Sequence, residues 1–568
     1  MFGVDFSQQL YLKMKYTWKI LAAGLTAFLM WAAFPPMAES MDIAFALAPM
    51  LVVTRLSRPK AAAGWWFACG FAFWFATLSW MPAICKNNGP WPLVVLGWIG
   101  LAAFCAGYMA LFGWLDAKAW RKTKWEESGC LQSLKSRNAW MKLVVIVIVE
   151  PALWAGIELL RGTLFSGFAW NFLGTAVGNI PSFATPARIG GVYFLSAIVV
   201  MVNGVFATLL VRVISPMLNG VDGRQVAIKG NARAARFART LETALPLLAA
   251  YLSITLSTPS TRSASPSRHS RSSLRVALIQ RNAPCIFSRR DEEDPYHAFM
   301  DLLDKVAPAN PDLIVMAESA FVEFGPARSD RTKQAAMHFS NRCGGAAVIG
   351  GVDDMIYSNG TRRVYNGAAF YSPAATNALV AVYHKQHLVP FGEYIPFDKW
   401  ITSLQKLSPI GVSLYPGEPL LFDLDGVKLA PLICFEDTVP SLARQAAADG
   451  ADAIVLITND SWFSRSIEAE QHAWQAVMRA IETGLPVLRV GNSGVTGVIM
   501  PSGRARWLTD GAGKPLVDQA GCQIESVPIV RDATKTPYVR FGDWPVILLF
   551  AISFAFAILP EGRNATSA

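Results

Sequence analysis

Long apolar runs fill the first 260 residues of the chain and then stop. Runs long enough to cross a bilayer, about 20 residues, occur at 17–35, 63–84, 91–115, 142–160, 187–213 and 241–257, with one more at 543–560. A shorter run, Ile43–Val53, is decided by charge. Lys13, Lys15 and Lys19 precede the first run, and Arg55, Arg58 and Lys60 follow the short one. If the short run crosses, both basic groups share one face, as the positive-inside rule requires. The pattern therefore predicts an N-terminal bundle of about seven transmembrane helices, with residues 116–142 and 212–239 on the face of the N-terminus. The loops "KNNGP" and "SGFAWNFLGTAVGNIPSFATPARIGG" carry few charges and fall on the opposite face. An odd number of crossings puts everything after residue 258 outside. The last run then returns the tail "EGRNATSA" to the cytoplasm. The first run lacks a small-residue cleavage site before "FPPMAES" and reads as a retained helix.

At Leu274 the period changes. Short β-branched runs ("LRVALIQ", "DLIVMAES", "GAAVIGGV", "NGAAFYSP", "ALVAVYH", "VKLAPLIC", "ADAIVLITND", "PVLRVGNSG", "TGVIMPSG") alternate with helical patterns such as "DPYHAFMDLLDKV" and "SIEAEQHAWQAVMRAIETG". That alternation predicts an α/β domain with a large sheet. The expected organisation is a helix bundle over 1–257, a Ser/Pro/Arg linker over 258–273, an α/β domain over 274–540, and a C-terminal membrane helix with a short tail over 541–568. The linker is too polar and proline-rich to pack a core.

Composition agrees with membrane residence. Hydrophobic residues make up 53% of the chain and charged ones 16%, against about a quarter charged in soluble domains. The net charge of +10 does not point to nucleic acid, because the basic residues cluster between apolar runs. The eight cysteines, at 69, 85, 105, 130, 285, 343, 434 and 522, form no CxxC pair and no zinc spacing. A disulfide framework is not expected, and packing is the ordinary role for any one of them.

Three polar residues occupy equivalent places in the α/β domain. Glu318 follows "PDLIVMA", Lys385 follows "ALVAVYH", and Cys434 ends "VKLAPLIC". Reactive groups of α/β sheets gather at the carboxyl ends of strands, so three strand ends can bring an acid, an amine and a thiol together. Such a set suits nucleophilic acyl transfer: an acid that takes the thiol proton, and an ammonium that holds the charge developing on a carbonyl oxygen, helped by a backbone N–H past the cysteine turn. The stretch "FEDTVPSLARQAAADG" reads as a turn into a helix, so Cys434 is expected to face a helix N-terminus that favours the thiolate. Each residue alone has an ordinary reading as a rim charge, a solvated lysine or a packed thiol.

At these residues the chain resembles a known family. "YHKQHLVPFGEYIP" (383–396) is similar to the lysine-containing signature of the apolipoprotein N-acyltransferase family, a membrane branch of the nitrilase (carbon–nitrogen hydrolase) superfamily. The resemblance implies an α-β-β-α sandwich outside the membrane and a triad of Glu318 as general base, Lys385 as stabiliser of the tetrahedral intermediate and Cys434 as nucleophile. It brings along Glu393 as a fourth acid, Phe435 and Glu436 from "CFE", and the walls "TNDSWF" (458–463), with Asn459 and Trp462, and "RVGNSG" (489–494). Glu436 is expected to brace the site and Asp437 to cap the following helix. "WAGIELLRGTLFSGFAWNFLG" (154–174) resembles the family's membrane segment, so the likeness covers nearly the whole chain. Three departures stand out: "VMAES" where the family reads Trp-Pro-Glu-Thr, Ser464 where Gly is usual, and Phe287 as the only aromatic where a Lys-Trp pair is common.

The resemblance implies transfer of an acyl chain from a phospholipid, through a cysteine thioester, to the α-amine of a diacylglyceryl-cysteine on an apolipoprotein. The expected setting is a bacterial inner membrane, with the catalytic domain periplasmic and both termini cytoplasmic. A membrane-tethered amidase or nitrilase using water is the alternative. The discriminating feature is an apolar entrance, for which "FDKWITSLQKL" (397–407) offers Trp400, Ile401 and Leu404 on one helical face. A transporter or scaffold is the third reading, with Glu150 and Glu158 marking a polar path. His384 and His387 in "HKQH" are expected to orient the lysine loop rather than bind a metal. "TDGAGKP" lacks the hydroxyl residue and glycine of a phosphate loop. Neither a metal, a nucleotide nor a nucleic acid is expected.

Overall fold

The computed structural model describes residues 3–87, 89–123, 137–218, 232–257, 272–284, 295–358, 361–396, 413–463, 465–530 and 534–560. The expected lip at 397–407, Phe287 and Ser464 lie outside the described residues. The chain divides into two compact units. One comprises Met1–Ser79, Leu96–Thr258 and Asp543–Ala568, and the other Trp80–Val95 and Pro259–Gly542.

The first unit is helical: α1 (Gly3–Ala32), α2 (Ala48–Arg55), α3 (Pro59–Thr77), α4 (Trp91–Lys122) from Leu96 onward, α5 (Arg137–Val144), α6 (Glu150–Thr163), α7 (Pro181–Ala184), α8 (Ala187–Leu218) and α9 (Ala232–Ser257), with a last helix at Trp544–Ile558. A π turn over Val145–Val149 joins α5 to α6. Among the described residues four helical stretches are long and apolar enough to cross a membrane: Pro59–Asn87, Trp91–Lys122, Trp140–Ser166 and Ala187–Arg212.

The run Ile43–Val53 is not one spanning helix. It forms a 3-10 turn and the eight-residue α2, about 12 Å long at 1.5 Å per residue, against a hydrocarbon core of about 30 Å. Lys19, just past the midpoint of α1 and near the start of its apolar run, donates to the hydroxyl of Ser57 at 3.0 Å, so the segment between α1 and α3 runs back along the apolar half of α1 as a broken path. Irregular backbone at membrane depth needs internal partners, and Asn203 of α8 supplies them. Its Oδ1 accepts from the N–H of Leu47 (2.8 Å) and Ala48 (3.2 Å), and its Nδ2 donates to the Ile43 carbonyl (2.8 Å).

Two buried acids of this unit, Glu150 and Glu158, have partners within it. Glu150 pairs with Arg55 at 3.2 Å and accepts from the Trp120 indole at 3.3 Å. Glu158 accepts from the Leu173 N–H at 2.8 Å. A carboxylate held by a guanidinium or a backbone N–H reads as internal scaffolding rather than as a polar path.

Among its described residues the second unit holds twelve strands in two six-stranded sheets. The first sheet runs β12 (Gly521–Ile529), β1 (Ser272–Gln280), β2 (Leu313–Met316), β3 (Ala347–Ser358), β4 (Thr361–Tyr371), β5 (Leu379–His384). The second runs β11 (Ala505–Trp507), β10 (Gly497–Ile499), β9 (Val487–Gly491), β8 (Ala453–Thr458), β7 (Val427–Ile433), β6 (Phe422–Leu424). β1, β2 and β3 are parallel, as are β7, β8 and β9, and the outer strands pair antiparallel.

Period-2 alternation builds the layers. Leu274, Val276 and Leu278 of β1 and Leu313 and Val315 of β2 join Leu429, Ile433, Val455, Ile457, Leu488 and Val490 in a core between the sheets. The alternate residues, Ala277, Ile279, Ile314 and Met316, pack on Phe299, Leu303 and Phe339 of α10 (Pro295–Val306) and α11 (Asp330–Arg342). With α12 (Pro440–Ala448) and α13 (Glu468–Thr483) beside the second sheet and α14 (Pro537–Phe541) behind them, the order is helix, sheet, sheet, helix. Both strand faces are buried, which is why the strands read as continuous apolar runs.

Candidate active site

The three expected residues stand at strand ends, two on one sheet and one on the other. Glu318 lies two residues past β2, Lys385 directly follows β5, and Cys434 directly follows β7. Their fields overlap: the Cys434 thiol feels both the Glu318 carboxylate and the Lys385 ammonium. Glu318 is 9% exposed and Lys385 1%.

β3 shapes the turn that carries Glu318. Phe321 N–H donates to the Gly351 carbonyl at 2.9 Å, and Gly351 N–H donates to the Ala317 carbonyl at 3.1 Å. A Cβ on Gly351 would stand 2.6 Å from Glu318 Cα and 2.3 Å from Ser319 N, so only glycine admits this approach.

Asn366 of β4 is the hub that the sequence reading missed. Its side-chain nitrogen donates to Glu318 Oε1 (2.7 Å) and to Glu393 Oε1 (2.9 Å), and its carbonyl accepts from the Lys385 N–H (2.9 Å). Lys385 Nζ donates to Glu393 Oε1 at 2.9 Å, while Glu393 Oε2 accepts from the Val389 N–H at 2.8 Å. Burial alone would lower the Lys385 ammonium, but Glu393, Cys434 and Glu318 outweigh it and hold the group above its ordinary value. Lys385 is therefore a fixed positive charge. Burial pushes the Glu318 carboxyl up to about 7, with Lys385 opposing and Glu393 adding to the rise.

Cys434 opens a five-residue 3-10 turn, Cys434–Thr438, and has φ +52°. A non-glycine residue there is held by its surroundings. The expected helix N-terminus is not at the thiol: α12 starts only at Pro440. The thiol is also not lowered. Burial and the Glu318 charge push it well above its ordinary value, with Lys385 and the Thr458 hydroxyl pulling the other way and Asp460 adding to the rise. The resting thiol is protonated and needs a base.

Glu436 is fully buried among donors from both sheets. Its carboxylate accepts from the Tyr383 hydroxyl (3.0 and 2.9 Å), from the N–H groups of Gln386 (2.6 Å) and His387 (3.1 Å), and from the Ile433 N–H (2.8 Å). It thus ties the lysine loop on one sheet to the cysteine turn on the other. Phe435 stacks on the His387 ring at 6.0 Å. His384 bonds Asp354 at 2.9 Å and stacks on Tyr365 at 4.2 Å, which fixes the approach to Lys385.

Asp437 does not cap α12, whose N-cap position has no side-chain bond. It accepts from His472 Nε2 at 2.9 Å, and His472 Nδ1 faces Asp460 Oδ1 at 3.0 Å. Asp460, Glu468 and His472 present ligand atoms within 4.8 Å of one another, yet the Arg489 guanidinium stands 3.4 Å from Asp460. With a cation already on the carboxylate and both imidazole nitrogens engaged, the group fits an ion-pair network rather than a metal cradle.

The loops 458–463 and 489–494 are joined to each other. Asn459 Oδ1 accepts from the Ser461 hydroxyl (2.7 Å) and from Asn492 Nδ2 (3.1 Å). Asn87, in the loop between α3 and α4, donates to the carbonyls of Ser461 (3.0 Å) and Trp462 (2.9 Å), and Trp80 packs edge-on against Phe463 at 4.7 Å. Asn87 thus ties the segment before α4 to the loop 458–463, a contact that its polar composition gave no reason to expect.

Comparison with known proteins follows the same division. Residues 26–205 match the apolipoprotein N-acyltransferase N-terminal domain, and residues 275–516 match the carbon-nitrogen hydrolase family. An apolipoprotein N-acyltransferase of Geobacter metallireducens is 28% identical over 551 residues, covering 94% of this chain and 95% of its own. That of Pseudomonas putida is 28% identical over 96% of both chains, and that of Vibrio vulnificus 25% identical over 94% of this chain and 96% of its own. Among solved structures, an amidase from Nesterenkonia sp. is similar over 48% of this chain and 95% of its own, at 18% identity and a TM-score of 0.32. Likeness that runs from the helical unit through the strands that present Glu318, Lys385 and Cys434 places the chain in the apolipoprotein N-acyltransferase family, a membrane branch of the nitrilase superfamily.

Proposed function

We propose that the chain transfers an acyl chain from a phospholipid to the α-amine of the diacylglyceryl-cysteine of apolipoproteins, through a thioester on Cys434. The observation that carries this reading is the buried hub at Asn366, which joins Glu318 to the Glu393–Lys385 pair. Glu318 takes the thiol proton, and the thiolate attacks the ester carbonyl. Lys385, with a backbone N–H of the cysteine turn, holds the oxyanion. Collapse breaks the ester bond; the leaving lysophospholipid oxygen takes the proton from Glu318, and the thioester remains. The acceptor amine then attacks the thioester carbonyl, Glu318 takes its proton, and the sulfur leaves and is reprotonated. Trp462, Asn459 and Phe435 line the substrate's path, and Glu436 and Glu393 keep the two loops in register.

The same reading makes residues 274–540 the catalytic domain and 1–257 the anchor in a bacterial inner membrane. The broken path from Ala33 to Leu56 counts as a crossing, which gives seven in the N-terminal bundle, and Trp544–Ile558 is the eighth. The termini are cytoplasmic and the catalytic domain periplasmic. The contact between Lys19, near the start of the apolar run of α1, and Ser57, just before α3, supports this topology. An amidase using water shares the triad but accounts for none of the helices matched by the N-acyltransferase domain.

The test is mass spectrometry of the intact protein after mixing with phospholipid alone. An acyl adduct on Cys434 that is discharged by a diacylglyceryl peptide, and not by water on the same timescale, supports transfer. No adduct, or discharge by water alone, overturns it.

A further inference from the structure

We propose that His472, as an imidazolium, is a positioning residue for the nucleophile: it ties the Cys434 turn to the end of β8 and screens the thiol from the Asp460 carboxylate. The inference rests on Cys434 being the reactive group of the acyl transfer proposed above.

Hydrogen-bond counting sets the charge. Nδ1 faces Asp460 Oδ1 at 3.0 Å, with Glu468 Oε1 at 3.6 Å beyond it, and Nε2 faces Asp437 Oδ1 at 2.9 Å. An ionised carboxylate only accepts, so each ring nitrogen must donate, and an imidazole with two N–H donors is cationic. The ring is 1% exposed. Burial favours the neutral form, but Asp437 and Asp460 outweigh it and push the group up to about 10 despite the nearby Arg489.

The ring also reaches the nucleophile's own backbone. Nε2 lies 3.4 Å from the Cys434 carbonyl, beside its shorter bond to Asp437 in the same turn. That turn contains the left-handed φ of +52° at Cys434, and its far side is held by Glu436. His472 holds the near side from α13. Asp460 receives the other half of the ring, together with the Thr458 hydroxyl at 2.9 Å and Arg489. No side chain stands at Gly494 to push it away: a Cβ there would lie 1.8 Å from Asp460 Oδ2.

The titratable and charged groups facing this assembly are Asp437 from the cysteine turn, Asp460 from the end of β8, Glu468 from α13 and Arg489 from β9, with Glu318 and Lys385 facing the thiol. Of these, Asp460 raises the thiol, and His472 sits directly on it. Without the imidazolium, Asp437 and Asp460 are both under-compensated beside Cys434, and the thiolate becomes harder to form.

The test reads the thiol itself and needs neither donor nor acceptor, so its failure is separable from failure of the acyl-transfer reading. The full-length protein in detergent is treated with iodoacetamide at about pH 8, near the ordinary thiol range, and alkylation of the Cys434 peptide is followed by mass. His472→Gln should alkylate roughly tenfold more slowly, since each unit of thiol pKa is tenfold in thiolate. Adding Asp460→Asn to it should recover most of that loss. A histidine with only a structural role would leave the rate unchanged, or raise it by opening the site, and either result overturns the proposal. So does a double variant as slow as the single one. If His472→Gln does not fold, Asp460→Asn alone decides: faster alkylation than wild type supports the screening role, and an unchanged or slower rate refutes it.

Discussion

The Lys385 ammonium and the Glu393 carboxylate stand 2.9 Å apart, the lysine 1% exposed and the glutamate 14%. Neither charge is sustainable there alone, because removing one partner of a buried pair leaves the other uncompensated at a cost of about 3–5 kcal/mol. Glu393→Gln should therefore act through Lys385. The amide cannot balance the ammonium, which becomes easier to deprotonate and weaker as an oxyanion partner. Thioester formation should fall by about 100- to 1000-fold, the loss typical of a missing oxyanion contact. The check is the rate of lysophospholipid release in a single turnover. A Glu393→Gln protein that forms thioester at the wild-type rate would show that the pair is structural only.

The second prediction concerns pH. Glu318 is pushed up to about 7 by burial, and its base form exists above that value. Thioester formation should rise with pH and level off above about 7, falling tenfold per unit below it. The sign for stability is opposite. A carboxyl raised in the fold binds its proton more tightly there than in the unfolded chain, so stability falls as pH climbs from about 4.5 to about 7. Glu318→Gln should accordingly be inactive and yet more resistant to unfolding above pH 7, by about 1–3 kcal/mol. Thermal unfolding at two pH values checks this.

Much of the site was legible because its residues sit where a strand stops. Glu318, Lys385 and Cys434 each follow an apolar run, and period-2 burial makes such runs easy to see. β12 was not seen, because its half-exposed edge residues and Pro528 break the apolar pattern. Asn366 was hidden inside β4, where a single polar residue looks like a surface position, and its partners come from two other segments. His472 and Asp437 were hidden for a related reason: on a helix and a turn, their charges look solvated until the fold buries them face to face. The thiolate at a helix N-terminus was misjudged because "CFEDT" forms a 3-10 turn, so that Pro440 opens α12 only six residues after the thiol. The single-helix reading of Ile43–Val53 failed because sequence does not reveal that Asn203, more than 140 residues away, satisfies a broken backbone.

Gly351 makes a steric prediction that no charge argument would. Gly351→Ala places a Cβ 2.3 Å from Ser319 N and 2.6 Å from Glu318 Cα, both backbone atoms that cannot rotate aside. The Glu318 turn must shift, at about 1–3 kcal/mol for overpacking a buried site. A displacement near 1 Å at a catalytic group costs about 100-fold in rate. The expected signature is a modest drop in unfolding temperature with a disproportionate loss of thioester formation. Gly345→Ala serves as a control for the thermal assay, since its Cβ would meet nothing within 4 Å, although its φ of +89° carries its own strain.

Glu436 should behave as a brace and not as a base. Every polar hydrogen around its carboxylate points inward: the Tyr383 hydroxyl and the N–H groups of Gln386, His387 and Ile433. Glu436→Gln keeps the shape but turns one acceptor into a donor, aimed at backbone N–H groups that cannot accept. The cost of leaving buried donors unsatisfied is about 1–3 kcal/mol each, and more where the lost partner was charged. Because Glu436 joins the lysine loop to the cysteine turn, the variant should separate Lys385 from Cys434 and lower thioester formation while the pH profile keeps its rise near 7. Glu318→Gln, in contrast, should remove that rise altogether. Measuring both profiles side by side distinguishes the brace from the base. If Glu436→Gln moved the pH midpoint while preserving the maximal rate, Glu436 would be the proton acceptor and the assignment of Glu318 would be wrong.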